Sequence, residues 1–192
     1  MTKAPKQTAD IFDILSKGQF ISSNSTDESI RKLYNTIEEQ ENFEYLSDFY
    51  QSINFILEKG NEYYHFVRQE TKVDLERKIE QTFKWIDILD FLKTFDNAFG
   101  SGYRFTPSSI LVKLNLDAAL KTKLEALKKY SGGKEKHLEI IEKILESLEK
   151  DKFIELENVI TNQYKVLASF NYLEQLIMTI NITEEAKNEI PE

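Results

Sequence analysis

Cysteine is absent from this 192-residue chain, which removes disulfides, thiolate metal sites and thiol nucleophiles together. Histidine occurs only at His65 and His137, and no stretch spaces carboxylates as a metal site would need. No apolar run approaches the ~18 residues that suggest a membrane span. The opening Met1-Thr2-Lys3-Ala4-Pro5-Lys6 lacks the apolar core of a signal peptide, so the expected location is the cytoplasm. Catalytic signatures are missing too. Lys134 follows Gly132-Gly133, but a phosphate loop also needs an earlier glycine and a following Ser or Thr. Lys128 and Glu135 stand in those places, which leaves a loop that feeds a helix. Gly100-Ser101-Gly102 reads as a helix stop, and neither a Gly-x-Ser-x-Gly elbow nor a His-x-x-x-His pair occurs. Asp87 and Asp90 lie three apart on a predicted helix, and they read as a solvated stripe or as partners of a neighbour such as Arg104. His65 alternates with apolar residues in a predicted strand and reads as a packed or hydrogen-bonded histidine. The chain is therefore expected to be no enzyme and to hold no cofactor.

What the chain does have is a helix with very little polar surface. Over Val73 to Phe99, Lys84, Asp87, Asp90 (or Phe91), Thr94 and Asn97 fall on one narrow stripe at helical spacing. Phe83, Trp85, Ile86, Ile88, Leu89, Leu92, Phe95, Ala98 and Phe99 cover nearly all the rest. A helix apolar over that much of its circumference must be packed on more than one side. The expectation is a central helix with one domain in front and another behind.

The elements before it follow in order. Thr8 or Asp10 caps a short helix that ends at Gly18, and Gln19 to Ser22 form a strand. Helices follow from near Asp27 and from about Asn42 to Ser52. Ile53–Leu57 and Tyr63–Val67 flank a Lys-Gly-Asn turn and make a hairpin. Helix, strand, helix, helix, hairpin is the order of a winged helix. After the central helix, Tyr103-Arg104-Phe105 reads as a strand and Thr106-Pro107 as a cap with proline at the first helical position. Leu116, Leu120, Leu124 and Leu127 form one face of a helix over 117–130. Leu138, Ile141, Ile144, Leu145 and Leu148 do so over 134–150. Phe153–Leu156 and Tyr164–Leu167 make a second hairpin, and a last helix runs from about Asn171 to Ile180.

The halves echo each other. Phe20-Ile21-Ser22 matches Arg104-Phe105-Thr106, and Phe55-Ile56 matches Phe153-Ile154. The second interval is longer by about one three-to-four-turn helix, which the segment 117–130 supplies. The expected fold class is mainly α with short β-hairpins (α+β), as tandem winged-helix domains around a central helix. The expected divisions are an N-terminal winged helix (1–70), the central helix (71–100) and a C-terminal winged helix with an extra helix and a C-terminal helix (101–192).

Net charge is −8, whereas a free-standing nucleic-acid binder is usually basic on at least one face. The helix that a winged helix would place in the major groove carries Glu41, Glu44 and Asp48 in the first copy, with no Lys or Arg. In the second copy, over 134–150, four lysines are mixed with five glutamates. The one basic region runs from Lys113 to Lys136. It is read either as a solvated helix face or as a weak, non-specific contact to DNA backbone through Lys121, Lys123, Lys128, Lys129, Lys134 and Lys136. The first 70 residues hold 11 of the 23 aromatics, and neither face of the first wing is plainly polar. Either the central helix covers the second face within one chain, or a second copy does. In the latter case an isologous dimer contact would be made by Phe43, Phe49, Tyr50, Tyr63, Tyr64 and Phe66.

Ile11-Phe12-Asp13-Ile14-Leu15 with Phe20-Ile21-Ser22, Trp85-Ile86-Asp87-Ile88-Leu89 and Gly100-Ser101-Gly102-Tyr103-Arg104-Phe105-Thr106-Pro107 resemble the MksE group of MukE-like proteins. These are the tandem winged-helix "kite" subunits of bacterial condensin-type SMC complexes. The resemblance spans roughly residues 9–182 and rests on apolar patterning and element order, since the family has no catalytic signature. It implies a non-enzymatic, homodimeric, nucleoid-associated subunit. Such a subunit grips a kleisin and, through it, an SMC ATPase that organises and segregates chromosomes or acts against plasmids. The alternative is a winged-helix DNA-binding transcriptional regulator, which would need a basic recognition helix.

Overall fold

The computed structural model describes residues 4–68, 72–176 and 178, with side chains in the long helix described from residue 79 onward. The elements are α1 (Thr8–Leu15), β1 (Ile21–Ser22), α2 (Glu28–Glu38), α3 (Gln40–Gln51), β2 (Ile56–Lys59), β3 (Tyr63–Val67) and α4 (Lys72–Phe95). They continue with β4 (Arg104–Phe105), α5 (Pro107–Leu114), α6 (Ala118–Ala126), a 3₁₀ turn (Leu127–Tyr130), α7 (His137–Lys150), β5 (Ile154–Asn158) and β6 (Gln163–Val166). Residues 170–176 are helical again, and the rest of the expected last helix, apart from residue 178, lies outside the described residues.

Local chemistry sets most of the helix starts. Asp27 accepts from the Ser29 amide at 2.8 Å and caps α2. Thr106 and Ser109 form a reciprocal capping box at α5, with Pro107 in the first turn. Asp117 caps α6 by accepting from Leu120 at 3.0 Å. Helix α1 departs from expectation, because neither Thr8 nor Asp10 caps it; the Thr8 hydroxyl donates to the Pro5 carbonyl instead. The first hairpin begins later than its apolar run. Asn54 sits in the left-handed region (φ 66°) and the Phe55 amide bonds Tyr50 O at 2.9 Å, so the end of α3 unwinds through the residues read as strand.

The two halves share one topology. Each hairpin is joined by the earlier two-residue strand, giving three-stranded antiparallel sheets ordered β1-β3-β2 and β4-β6-β5. Ile21 pairs with Tyr64 in one and Phe105 with Tyr164 in the other. Helix α4 stands before β4 as α1 stands before β1, with α6 as the added element.

Two cores form, and the first sheet lies between them. Ile21, Leu57 and Tyr64 point into the first core with Ile11, Leu15, Ile37, Leu46 and Tyr50. Strand alternation turns Phe20 and Tyr63 the other way, into a second core with Trp85, Phe91, Phe95, Phe105, Ile144, Phe153 and Phe170. Phe20 meets Phe153 at 5.1 Å and Tyr172 at 5.2 Å between ring centroids. His65 packs on the same side, 5.2 Å from the Tyr172 ring.

Among the described residues of α4, the buried ones (Trp85, Ile88, Leu89, Phe91, Leu92 and Phe95) belong to the second core, which also takes in Phe20 and Tyr63 of the first half. Phe83 is 56% exposed and Ala98 lies on the surface. Of the leucines expected to share a face, Leu116 is 85% exposed while Leu120, Leu124 and Leu127 are buried; Leu138 is 40% exposed, and Ile140 is buried in the core instead.

Polar contacts fasten the halves beside the aromatic seam. The Asn24 side chain donates to Val166 O at 3.2 Å and accepts from the Ala168 amide at 2.8 Å, while its carbonyl accepts from Lys165 Nζ at 2.5 Å. The Glu155 carboxylate accepts from the Ser25 hydroxyl at 2.8 Å and from the Thr26 amide. Ser22 Oγ accepts from the Ser169 amide at 3.3 Å, within the buried seam. Replacing Asn24 by alanine strands a donor and an acceptor at once, so Asn24→Ala should cost about 1–3 kcal/mol. Urea denaturation checks it, and a loss within experimental error would show that water replaces the amide without penalty.

Candidate interaction surfaces

The lysine-rich region is built on α6, the 3₁₀ turn and the loop that leads into α7. Helix α6 and the turn lie along the polar stripe of α4, and the stripe is partnered rather than solvated. Lys123 Nζ reaches Asp90 Oδ1 at 2.6 Å and Thr94 Oγ1 at 2.8 Å. Lys129 pairs with Asp87 at 2.8 Å, and the Tyr130 hydroxyl donates to the same carboxylate at 2.7 Å. Burial pushes the Asp87 carboxyl up, but the bonds from Lys129 and Tyr130 outweigh it and hold it below its ordinary value. Phe91, the other candidate for the stripe, is buried. Arg104 takes neither aspartate; it makes a bidentate pair with Glu157 at 2.6 and 2.9 Å.

Of the six lysines read as candidate DNA contacts, four are therefore in ion pairs. Lys123 and Lys129 are tied to α4, Lys128 lies between Glu125 (2.8 Å) and Glu135 (3.5 Å), and Lys136 meets Glu139 at 3.4 Å. The Glu125 carboxylate also lies 2.9 Å from His137 Nε2. Lys121 and Lys134 have no carboxylate partner among the described residues.

The aromatic residues read as a dimer contact divide by depth. Tyr50, Tyr63 and Tyr64 are at most 1% exposed within the single chain, which takes them off the surface. The physical reason is the two-faced first sheet. Tyr64 and Tyr50 fill the first core, and on the second face Phe20 and Tyr63 meet Phe153 and Tyr172 of the same chain, in a core that also takes in Trp85 of α4. Their hydroxyls are satisfied there: Tyr50 donates to Thr8 O and Tyr64 to Glu38, both at 2.7 Å. Burial pushes the Tyr63 hydroxyl up to about 12. Phe43 and Phe66 are half-buried. Phe49 is 41% exposed, and exposed Ile53 and Ile56 follow it where α3 gives way to β2.

A cleft of about 500 Å³ opens beside the seam, lined by Phe20, Trp85, Phe153, Tyr172, His65 and Asp151 among others. Burial raises the Asp151 carboxyl, and the Gln81 amide lies 3.4 Å from it. His65 lies 3.5 Å from Glu58 on the neighbouring strand. Among the described residues no group of three or more His, Cys, Asp or Glu could hold a metal, and no helix is long and apolar enough to cross a membrane.

Several important residues carried little signal in the sequence. Asn24 sat in a polar loop, Phe20 looked like any wing residue, and Gly60 looked like an ordinary turn glycine.

A search of curated proteins gave no match to the chain. The family profile of condensin complex protein MksE matches residues 6–177, which takes in α1 through β6 and so both copies of the repeated topology. With both halves inside a single family match, the chain belongs to the MksE family of condensin complex proteins.

Proposed function

We propose that this chain is a non-enzymatic kite subunit, built as two winged-helix units with divisions near residues 70 and 100. It grips a kleisin and through it an SMC ATPase, in a complex that organises chromosomes or excludes plasmids on the nucleoid. The observation that carries this reading is the repeated topology inside an MksE match. The charge distribution supports it, since the helix in the reader position of the first copy, α3, presents Glu41, Glu44 and Asp48. Co-expression with the SMC and kleisin subunits of the source cell tests it. A ternary complex that survives size-exclusion is the expected result, and recovery of the chain alone sinks the reading.

Two further outcomes belong to this proposal. The isolated chain should form a homodimer through exposed Phe49, Ile53 and Ile56, together with half-buried Phe43 and Phe66. Such an apolar patch in water would otherwise favour aggregation. Phe49→Asp with Ile56→Asp should convert the dimer to a soluble 22.5 kDa monomer in light scattering. A wild-type monomer would remove the dimer from the scheme. DNA binding by the isolated chain should be weak and salt-sensitive. Lys121→Glu with Lys134→Glu should lower the slope of log K against log salt by about 2. Lys123→Glu with Lys129→Glu should do less, because those cations are already neutralised by α4. Nanomolar, sequence-selective binding at physiological salt would favour a transcriptional regulator instead.

A further inference from the structure

Charge is ordered along the surface that carries Phe49, Ile53 and Ile56. On α3, Glu41, Tyr45 and Asp48 recur at helical spacing and share the face turned away from buried Leu46 and Tyr50. Phe49 lies beside them, its ring stacked on Tyr45 at 6.3 Å between centroids. Glu41 and Asp48 are exposed, and neither has a cationic partner among the described residues. Glu44, next to them, accepts from the Gln40 side-chain amide at 3.1 Å and keeps its charge.

Past the end of the helix the sign reverses. Arg68 lines one hollow with Ile53, Phe55 and Ile56, and its guanidinium lies 5.9 Å from the Phe55 ring centroid. Lys17 joins Arg68 around Phe55 and Phe66. Both cations are exposed, and neither is in an ion pair among the described residues; Asp13, four residues before Lys17, makes none with it. The backbone between the two ends is fixed. The amides of Ser52, Asn54 and Phe55 bond Asp48 O, Gln51 O and Tyr50 O at 3.1, 3.0 and 2.9 Å. The surface therefore runs from carboxylate through apolar to cationic.

That order is self-complementary. A two-fold axis lying across the apolar middle, at right angles to the run of charge, reverses the order in a second copy. Each cationic end then meets the other copy's carboxylates. An axis along the run would set like charges against each other, which costs affinity. An unrelated partner would have to carry the opposite sequence of charges; a second copy presents it by symmetry.

We propose that the homodimer is antiparallel across Phe49, Ile53 and Ile56, with Arg68 and Lys17 of each copy facing Asp48 and Glu41 of the other. The inference rests on the dimer reading given above and adds its orientation. The apolar centre supplies most of the affinity, and the charges at its two ends select one register.

Sedimentation velocity of the full chain over a concentration series tests it. Arg68→Glu should raise the dimer dissociation constant about tenfold or more, because both copies of the contact turn from attraction to repulsion. Glu41→Lys with Asp48→Lys should do the same, and Arg68→Lys should preserve the dimer. All three positions are exposed, so the circular dichroism spectra should stay those of the wild type. Mixed one to one, the Arg68→Glu chain and the Glu41→Lys, Asp48→Lys chain should form a heterodimer about as tight as the wild-type dimer, since each contact again joins opposite charges. If the wild type is dimeric and either reversal leaves its constant unchanged, the register is overturned while the dimer stands. A mixture of folded variants that remains monomeric has the same meaning. If the wild type is monomeric, the dimer reading falls and takes this inference with it.

Discussion

Phe20→Ala should lower the unfolding free energy by about 3–5 kcal/mol, the cost of deleting a core phenylalanine. For a chain of this size the melting temperature should fall by roughly 6–20 °C. The ring stands where four aromatic neighbours meet, with centroids of Tyr63, His65, Phe153 and Tyr172 all between 5.1 and 5.6 Å away. Two belong to the first sheet and two to the C-terminal half, so alanine leaves a cavity in the seam itself. Trp85, the only tryptophan, lies in the second core 5.3 Å from Phe153 and reports on that side. In the variant, its fluorescence transition should separate from the loss of far-UV circular dichroism, because the halves no longer support each other. Ile21→Ala, one residue away but facing the first core, should destabilise without separating the two signals. A Phe20→Ala loss below 1 kcal/mol would mean that the seam collapses without cost.

The second large effect comes from the turn of the first wing. A Cβ placed on Gly60 would lie 2.0 Å from Tyr63 Cζ, well inside any tolerable contact. Gly60 also donates its amide to Tyr63 O at 2.9 Å, so the ring lies across the backbone of its own hairpin. Tyr63 cannot step aside, being 1% exposed with Phe20 edge-on at 5.6 Å. Gly60→Ala should therefore cost about 1–3 kcal/mol or more, as overpacking does. A double-mutant cycle gives the decisive comparison. In a Tyr63→Ala background the Gly60→Ala penalty should vanish; if it persists, its origin is the turn's backbone and not the ring.

The elements themselves could be read from the sequence because their signals are local. Asp27, the Thr106-Pro107 pair and Asp117 announce helix starts through side-chain bonds within three residues. The repeat was visible because Phe55-Ile56 and Phe153-Ile154 stand at corresponding points of two hairpins, and Ile56 and Ile154 do open β2 and β5. What could not be read was which surface covers which. Phe20 and Ile21 are adjacent apolar residues on opposite faces, and nothing local says that one faces the first core and the other the second. The acidic stripe of α4 reads as solvated or as paired with Arg104 because its actual lysine partners lie about 30 to 40 residues further on. The same blindness kept Tyr50, Tyr63 and Tyr64 among the candidate contact residues. Their aromatic character was evident, but their burial is a property of the assembled chain. The exposure of Val159 and Ile160 was hidden for the opposite reason, since they look like core residues and are among the most exposed side chains described.

A sheet with a core on each side also imposes an order on biosynthesis. Residues 8–67 contain all of the first sheet, yet the partners of Phe20 and Tyr63 on its second face are Phe153 and Tyr172. At ~5–20 residues per second, a ribosome needs roughly 5–20 s to travel from Tyr63 to Tyr172. During that interval Phe20, Tyr63 and His65 form an uncovered aromatic surface on an otherwise finished unit. The nascent chain is thus most exposed to misassociation after its first half has folded, and a holdase chaperone should be bound most strongly to ribosomes stalled between residues 70 and 150.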